Sequence, residues 1–153
     1  MNFRMIIQVL GILLMFEGVS MVPPFLISIY YGEGTTSVFG ICIVFSLIIG
    51  FCLSRITVYR KKIKIRESLC IVSFGWIMVS LVGALPFLFS GFIVSPVDAL
   101  FESVSGFTTT GATIINDVEA LPHSILFWRS FAQWIGAMGI LVFTLAILPA
   151  IGA

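Results

Sequence analysis

Between two long apolar runs the chain reads Ser95-Pro96-Val97-Asp98-Ala99-Leu100-Phe101-Glu102-Ser103-Val104-Ser105-Gly106-Phe107-Thr108-Thr109-Thr110-Gly111-Ala112-Thr113. Its first half is a helix start: Ser95 as N-cap, Pro96 at the first helical position, and the carboxylate of Asp98 three residues after the cap. Phe101, Val104 and Phe107 recur at helical spacing, and Gly106 is suited to end the helix. About ten residues at 1.5 Å each give roughly 15 Å, half the thickness of a bilayer core. The second half, Thr108 to Thr113, is rich in a β-branched residue and holds one glycine. Thr favours extended backbone, and Gly admits conformations closed to other residues. The pattern predicts a short helix that enters a membrane without crossing it, followed by an uncoiled strand. Such backbone is tolerated at membrane depth only where protein or a water-filled cavity surrounds it.

The flanks supply the membrane. Hydrophobic residues make up 59% of the 153 residues, charged residues 10%, and the mean hydropathy is +1.18. A soluble domain carries about 25% charged residues, so a chain this apolar needs lipid as its solvent. Uncharged or nearly uncharged runs place four spans at about 5–30, 36–54, 68–90 and 124–148. The first is longer than the apolar core of a signal peptide and lacks a convincing cleavage site, so it is expected to stay as a helix. The predicted fold is an all-α membrane protein of four transmembrane helices plus one re-entrant pore helix and an extended filter loop. It divides into residues 1–67, two leading helices and a basic loop, and residues 68–153, a helix–pore-loop–helix repeat.

Six of the eight Lys and Arg residues (Arg55, Arg60, Lys61, Lys62, Lys64 and Arg66) crowd into one short loop. Such clusters mark the cytoplasmic side. Both termini are then expected in the cytoplasm, with Glu33, Asp98, Glu102, Asp117 and Glu119 on outward-facing segments. The basic cluster has no basic domain around it, which argues against nucleic acid as a partner and suits anionic lipid headgroups. Cys42, Cys52 and Cys70 match no zinc or redox spacing and read as small membrane-embedded hydrophobes.

An uncoiled strand after a half-length helix can turn consecutive carbonyls toward an axis, and rings of such carbonyls replace the hydration shell of potassium. The helix would point its negative C-terminal end at the cation. Asn116, Asp117 and Glu119 follow as an acidic outer mouth. The plain alternative for 108–113 is a buried loop between spans.

The run Phe101 to Thr113, followed by Phe127-Trp128-Arg129-Ser130 and Gln133-Trp134-Ile135-Gly136-Ala137-Met138-Gly139, resembles the potassium uptake subunits of the TrkH/KtrB superfamily, most closely the TrkH branch. Ala137 departs from the pattern, where glycine is expected. The resemblance implies four linked helix–pore–helix repeats around one pseudo-fourfold pore, each giving one filter strand. It assigns Thr109, Thr110, Gly111, Ala112 and Thr113 to the ion through backbone oxygens, with Gly111 as the filter glycine. It also implies K+ as the transported ion with no cofactor, a multi-pass place in the inner (plasma) membrane, and homo-oligomers of the full-length protein. A cytoplasmic nucleotide-binding TrkA-type regulatory subunit is implied as a partner. One repeat cannot encircle an ion, so the chain is expected to be a piece of a protein about three times longer.

Glu17 lies mid-way along the first span, which is expected at the periphery, and should pair with a donor on a neighbouring helix or stay protonated. Arg129 and Glu102 are expected to support the pore loop, Glu102 by bonding filter backbone or Arg129. His123 has no metal partner and reads as interfacial, Trp128 as part of the outer aromatic belt, and Gly136 and Gly139 as a flat helix face for close packing. No nucleophile with base and orienter, paired carboxylates or phosphate loop can be assembled. Three functions compete. Potassium permeation requires residues 109–113, whereas a non-conducting membrane scaffold or accessory subunit tolerates change there. A membrane enzyme is disfavoured by the lack of paired polar residues inside the spans.

Overall fold

The computed structural model describes residues 3–56 and 65–151, with side chains up to residue 140. Every regular element among the described residues is helical: α1 (Phe3–Ser20), α2 (Val22–Tyr31), α3 (Thr36–Ser54), α4 (Ile65–Gly83), α5 (Leu85–Phe89), α6 (Pro96–Phe107) and α7 (His123–Ile151). Three stretches are long and apolar enough to cross a membrane: Phe3–Tyr31, Thr36–Ser54 and Arg66–Phe89. The fourth expected span lies in α7, whose 29 residues extend about 43 Å at 1.5 Å per residue. Arg60, Lys61, Lys62 and Lys64, on which the orientation rests, lie outside the described residues.

Two of the expected spans are each broken in two, and proline explains both breaks. Pro23 and Pro24 open α2 and bring no N–H to continue the ladder of α1. Pro86 does the same in the first turn of α5, after α4 ends at Gly83. The chain then turns at Gly91, whose φ of 76° suits glycine.

Helix α1 packs chiefly along α3 and also touches α4. Glycines let the backbones of α1 and α3 meet: a Cβ on Gly50 would lie 2.8 Å from the Gly11 carbonyl, and one on Gly11 2.6 Å from the Ser54 amide. Helix α6 is seated between α4 and α7. The core at this junction is Phe87, Phe107, Ile125 and Trp128, all almost fully buried. Trp128 therefore does not belong to an aromatic belt. Its indole N–H donates to the Gly83 carbonyl at 3.0 Å, which satisfies its one polar atom inside the core.

The N-terminal end of α7 is fastened by Glu33, in the loop after α2. Its carboxylate accepts the His123 amide at 2.6 Å, the Ser124 amide at 3.1 Å and the Ser124 hydroxyl at 2.5 Å. An anion at a helix N-terminus meets free N–H groups and the positive end of the dipole. His123 also stacks on Tyr31, centroids 4.2 Å apart. Partial burial pushes the Glu33 carboxyl up, but the bonds from Ser124 and His123 together outweigh it and hold the group below its ordinary 4.5. A depressed carboxylate stabilises the fold above its unfolded value and loses that contribution as pH falls through the native one. Thermal melts in detergent should show Glu33→Gln below wild type at neutral pH, with the gap closing as pH drops below about 4.5. A gap that stays constant with pH would exclude this role of the carboxylate.

Candidate functional site

Helix α6 begins as the sequence predicts. Ser95 is extended, and its hydroxyl accepts the Asp98 amide at 3.4 Å. The helix runs 12 residues, about 18 Å, again near half a bilayer core. It does not end at Gly106. It passes through it to Phe107 and closes two residues later in a Schellman arrangement: the Thr110 amide donates to the Ser105 carbonyl at 3.0 Å, and the Thr109 amide to Gly106 at 2.9 Å. The left-handed position that usually takes glycine is Thr109, with φ 59°. A β-branched residue there is strained by roughly 1–3 kcal/mol. Gly106 lies against α7, where a Cβ on it would meet the Ala132 side chain at an ordinary contact distance of 3.7 Å.

The face that α6 buries is also not its aromatic stripe. Phe107 is buried, but Phe101 and Val104 are exposed, while Glu102, Ser103 and Ser105 face inward. Each inward polar group has a partner. The Ser103 hydroxyl donates to the Ser80 carbonyl at 2.8 Å. Glu102, only 2% exposed, receives Arg129 Nε from α7 at 2.5 Å on one oxygen. Its other oxygen accepts the Thr113 hydroxyl at 3.0 Å and the Ile114 amide at 3.3 Å. One carboxylate thus joins the helix, the far end of the Thr-rich strand and α7.

Residues 108–113 leave the helix without forming another. Gly111 has φ 76°, and only the Gln133 side chain comes near the place of its missing Cβ, at 3.7 Å. Among the described residues, nothing donates to the carbonyls of Thr109, Thr110, Gly111 or Thr113. The Ala112 carbonyl alone in this stretch is taken, by the Ser105 hydroxyl at 2.5 Å. Behind the strand Glu102, Ser105, Gly106, Gly111, Ala112, Arg129 and Gln133 close around a shallow recess with no room for a water molecule. Gly136 seats the helix end, because a Cβ there would collide with the Phe107 carbonyl. Gly139 meets the Trp76 ring.

The chain matches the TrkH cation transport protein family over residues 35–153. It belongs to that family. It is 40% identical to the Trk system potassium uptake protein TrkH of Halomonas elongata over 154 residues, covering 99% of this chain and 32% of that one. It is 41% identical to TrkH of Escherichia coli K12 over 157 residues, with 99% and 32% covered. The crystal structure of the potassium transporter TrkH from Vibrio parahaemolyticus superimposes with a TM-score of 0.92 at 39% identity, over 100% of this chain and 33% of that one. The chain thus spans about a third of the length of these relatives. As in its relatives, the fold is that of a multi-pass membrane protein.

Sequence reasoning placed Glu102 and Arg129 near the loop, and the structure bonds them to each other. It did not single out Ser105, Gln133 or Glu33. Ser105 lies three residues after Glu102, hence on the same helix face, which is the signal that could have found it. Glu17 has no donor among the described residues: both carboxyl oxygens are buried beside Gly83 without a partner there. Cys42, Cys52 and Cys70 are free thiols.

Three substitutions and one double variant test these buried acids. Removing one partner of a buried ion pair costs about 3–5 kcal/mol, so Glu102→Ala and Arg129→Ala should each lower the melting temperature sharply. The double variant should lose much less than the sum, and strict additivity would show that the pair is not coupled. Glu17→Gln, a neutral isostere in a site with no countercharge, should melt no lower than wild type. A marked loss would reveal a cationic partner.

Proposed function

We propose that this chain supplies one helix–pore–helix repeat of a potassium-conducting pore, in which ions shed water against backbone carbonyls of the 108–113 strand. The observation that carries the reading is the row of unpartnered carbonyls at Thr109, Thr110, Gly111 and Thr113, delivered by a half-length helix among membrane spans. Unpaired carbonyls in a membrane are costly unless something replaces the lost hydrogen bonds. A dehydrated cation does so. The C-terminal end of α6 adds a negative partial charge at the same place.

Within this reading Thr109, Thr110, Gly111, Ala112 and Thr113 form the ion-binding filter segment, and Glu102 with Arg129 braces it from behind. Arg129 is spent on Glu102 and presents no bare charge to the ion. Residues 1–67 form the leading hairpin and 68–153 the repeat, with the basic loop and both termini in the cytoplasm of a plasma membrane. Three further repeats complete the ring, full-length proteins associate as homo-oligomers, and a TrkA-type nucleotide-binding subunit regulates them. The reading needs no cofactor beyond the transported ion.

The deciding experiment uses a full-length protein that carries this repeat, expressed in a host unable to take up potassium. Gly111→Asp should abolish growth at low potassium while leaving membrane insertion at the wild-type level. Growth that survives the substitution would favour a non-conducting scaffold.

A further inference from the structure

Ser105 makes three contacts with the strand that follows its helix. Its carbonyl accepts the Thr110 amide at 3.0 Å and the Gly111 amide at 3.4 Å. Its hydroxyl donates to the Ala112 carbonyl at 2.5 Å. The side chain is 5% exposed and sits on the helix side of the strand, in the recess behind Gly111. The Ala112 oxygen therefore points back into the protein, while its neighbours at Thr110, Gly111 and Thr113 have no donor among the described residues.

A trans peptide is planar, with its C=O and N–H on opposite sides. With the Ala112 carbonyl turned toward Ser105, the Thr113 amide of the same peptide turns toward the open face. The series of outward oxygens is interrupted there, and the open side meets a donor in place of an acceptor. Discrimination between potassium and sodium depends on how many carbonyls surround the ion and how rigidly they are held.

We propose that Ser105 is a specificity-determining positioning residue, which fixes the Ala112–Thr113 peptide with its oxygen away from the ion path and so ends the continuous coordinating run at Gly111. The proposal rests on the pore reading above. It corrects the equal status of the five residues 109–113: the oxygen of Ala112 is structural, and only its neighbours coordinate. Without the tether this peptide can present either end, and a ring that adapts its oxygens accommodates the smaller sodium ion.

The test uses the full-length protein in the potassium-uptake-deficient host, with rubidium uptake measured against sodium competition. Ser105→Ala should reach the membrane at the wild-type level. It should lose about three- to tenfold of the preference for potassium-like ions over sodium, the range one hydrogen bond commands, and Ser105→Thr, which keeps the hydroxyl, should restore it. If Ser105→Ala fails to reach the membrane, Ser105→Cys, whose thiol is a weaker donor, carries the same comparison. A merely structural role would lower maximal uptake and leave the preference unchanged, and that result would overturn the proposal. Gly111→Asp run in parallel separates the two ideas. Uptake abolished by Gly111→Asp but a preference unchanged by loss of the Ser105 hydroxyl sinks the Ser105 assignment alone. Uptake that survives Gly111→Asp sinks the pore reading and this proposal together.

Discussion

A buried carboxylate whose three partners tie its own helix to two other segments organises this molecule. Glu102 sits on α6, yet it binds Arg129 of α7 and the Thr113–Ile114 end of the strand. Burying that charge is costly, and the cost is offset only while all three partners are in place. The strand between residues 108 and 113 has few bonds of its own, so its path is set at its two ends. The Schellman closure fixes the start, and Glu102 fixes the finish. The seat of α6 against α4 and α7 follows, since displacing either neighbour would break the Ser103–Ser80 bond or the ion pair.

Much of this was legible in the sequence because the signals are local. A capped helix start at Ser95-Pro96, a Thr-rich run with one glycine and charge-free stretches of span length each report on their own few residues. The broken spans were half legible: Pro23, Pro24 and Pro86 were visible, but apolar length alone does not say where a helix stops. The misreadings were tertiary. Gly106 looked like a helix end, but the helix runs through it and closes on a strained Thr109. Trp128 looked interfacial because it lies near the outer end of its span, but α4 offers its indole a carbonyl in the core.

Glu17 was legible by position alone. Of the two expectations for it, a donor on a neighbouring helix or a carboxyl that stays protonated, the first finds no donor among the described residues. The leading helix was expected at the margin because it comes first in the chain. Glycines on α1 and α3 draw those two helices together, and α1 reaches α4 beside Gly75 and Gly83.

Gly83 stands where these elements converge. Its missing side chain leaves room for the Phe107 ring, the Ser103 hydroxyl and the Glu17 carboxyl around one Cα, while its own carbonyl holds Trp128. The absence of a side chain here is a clearance shared by α1, α4 and α6, and filling it would displace the Phe107 ring at the base of the Thr-rich strand.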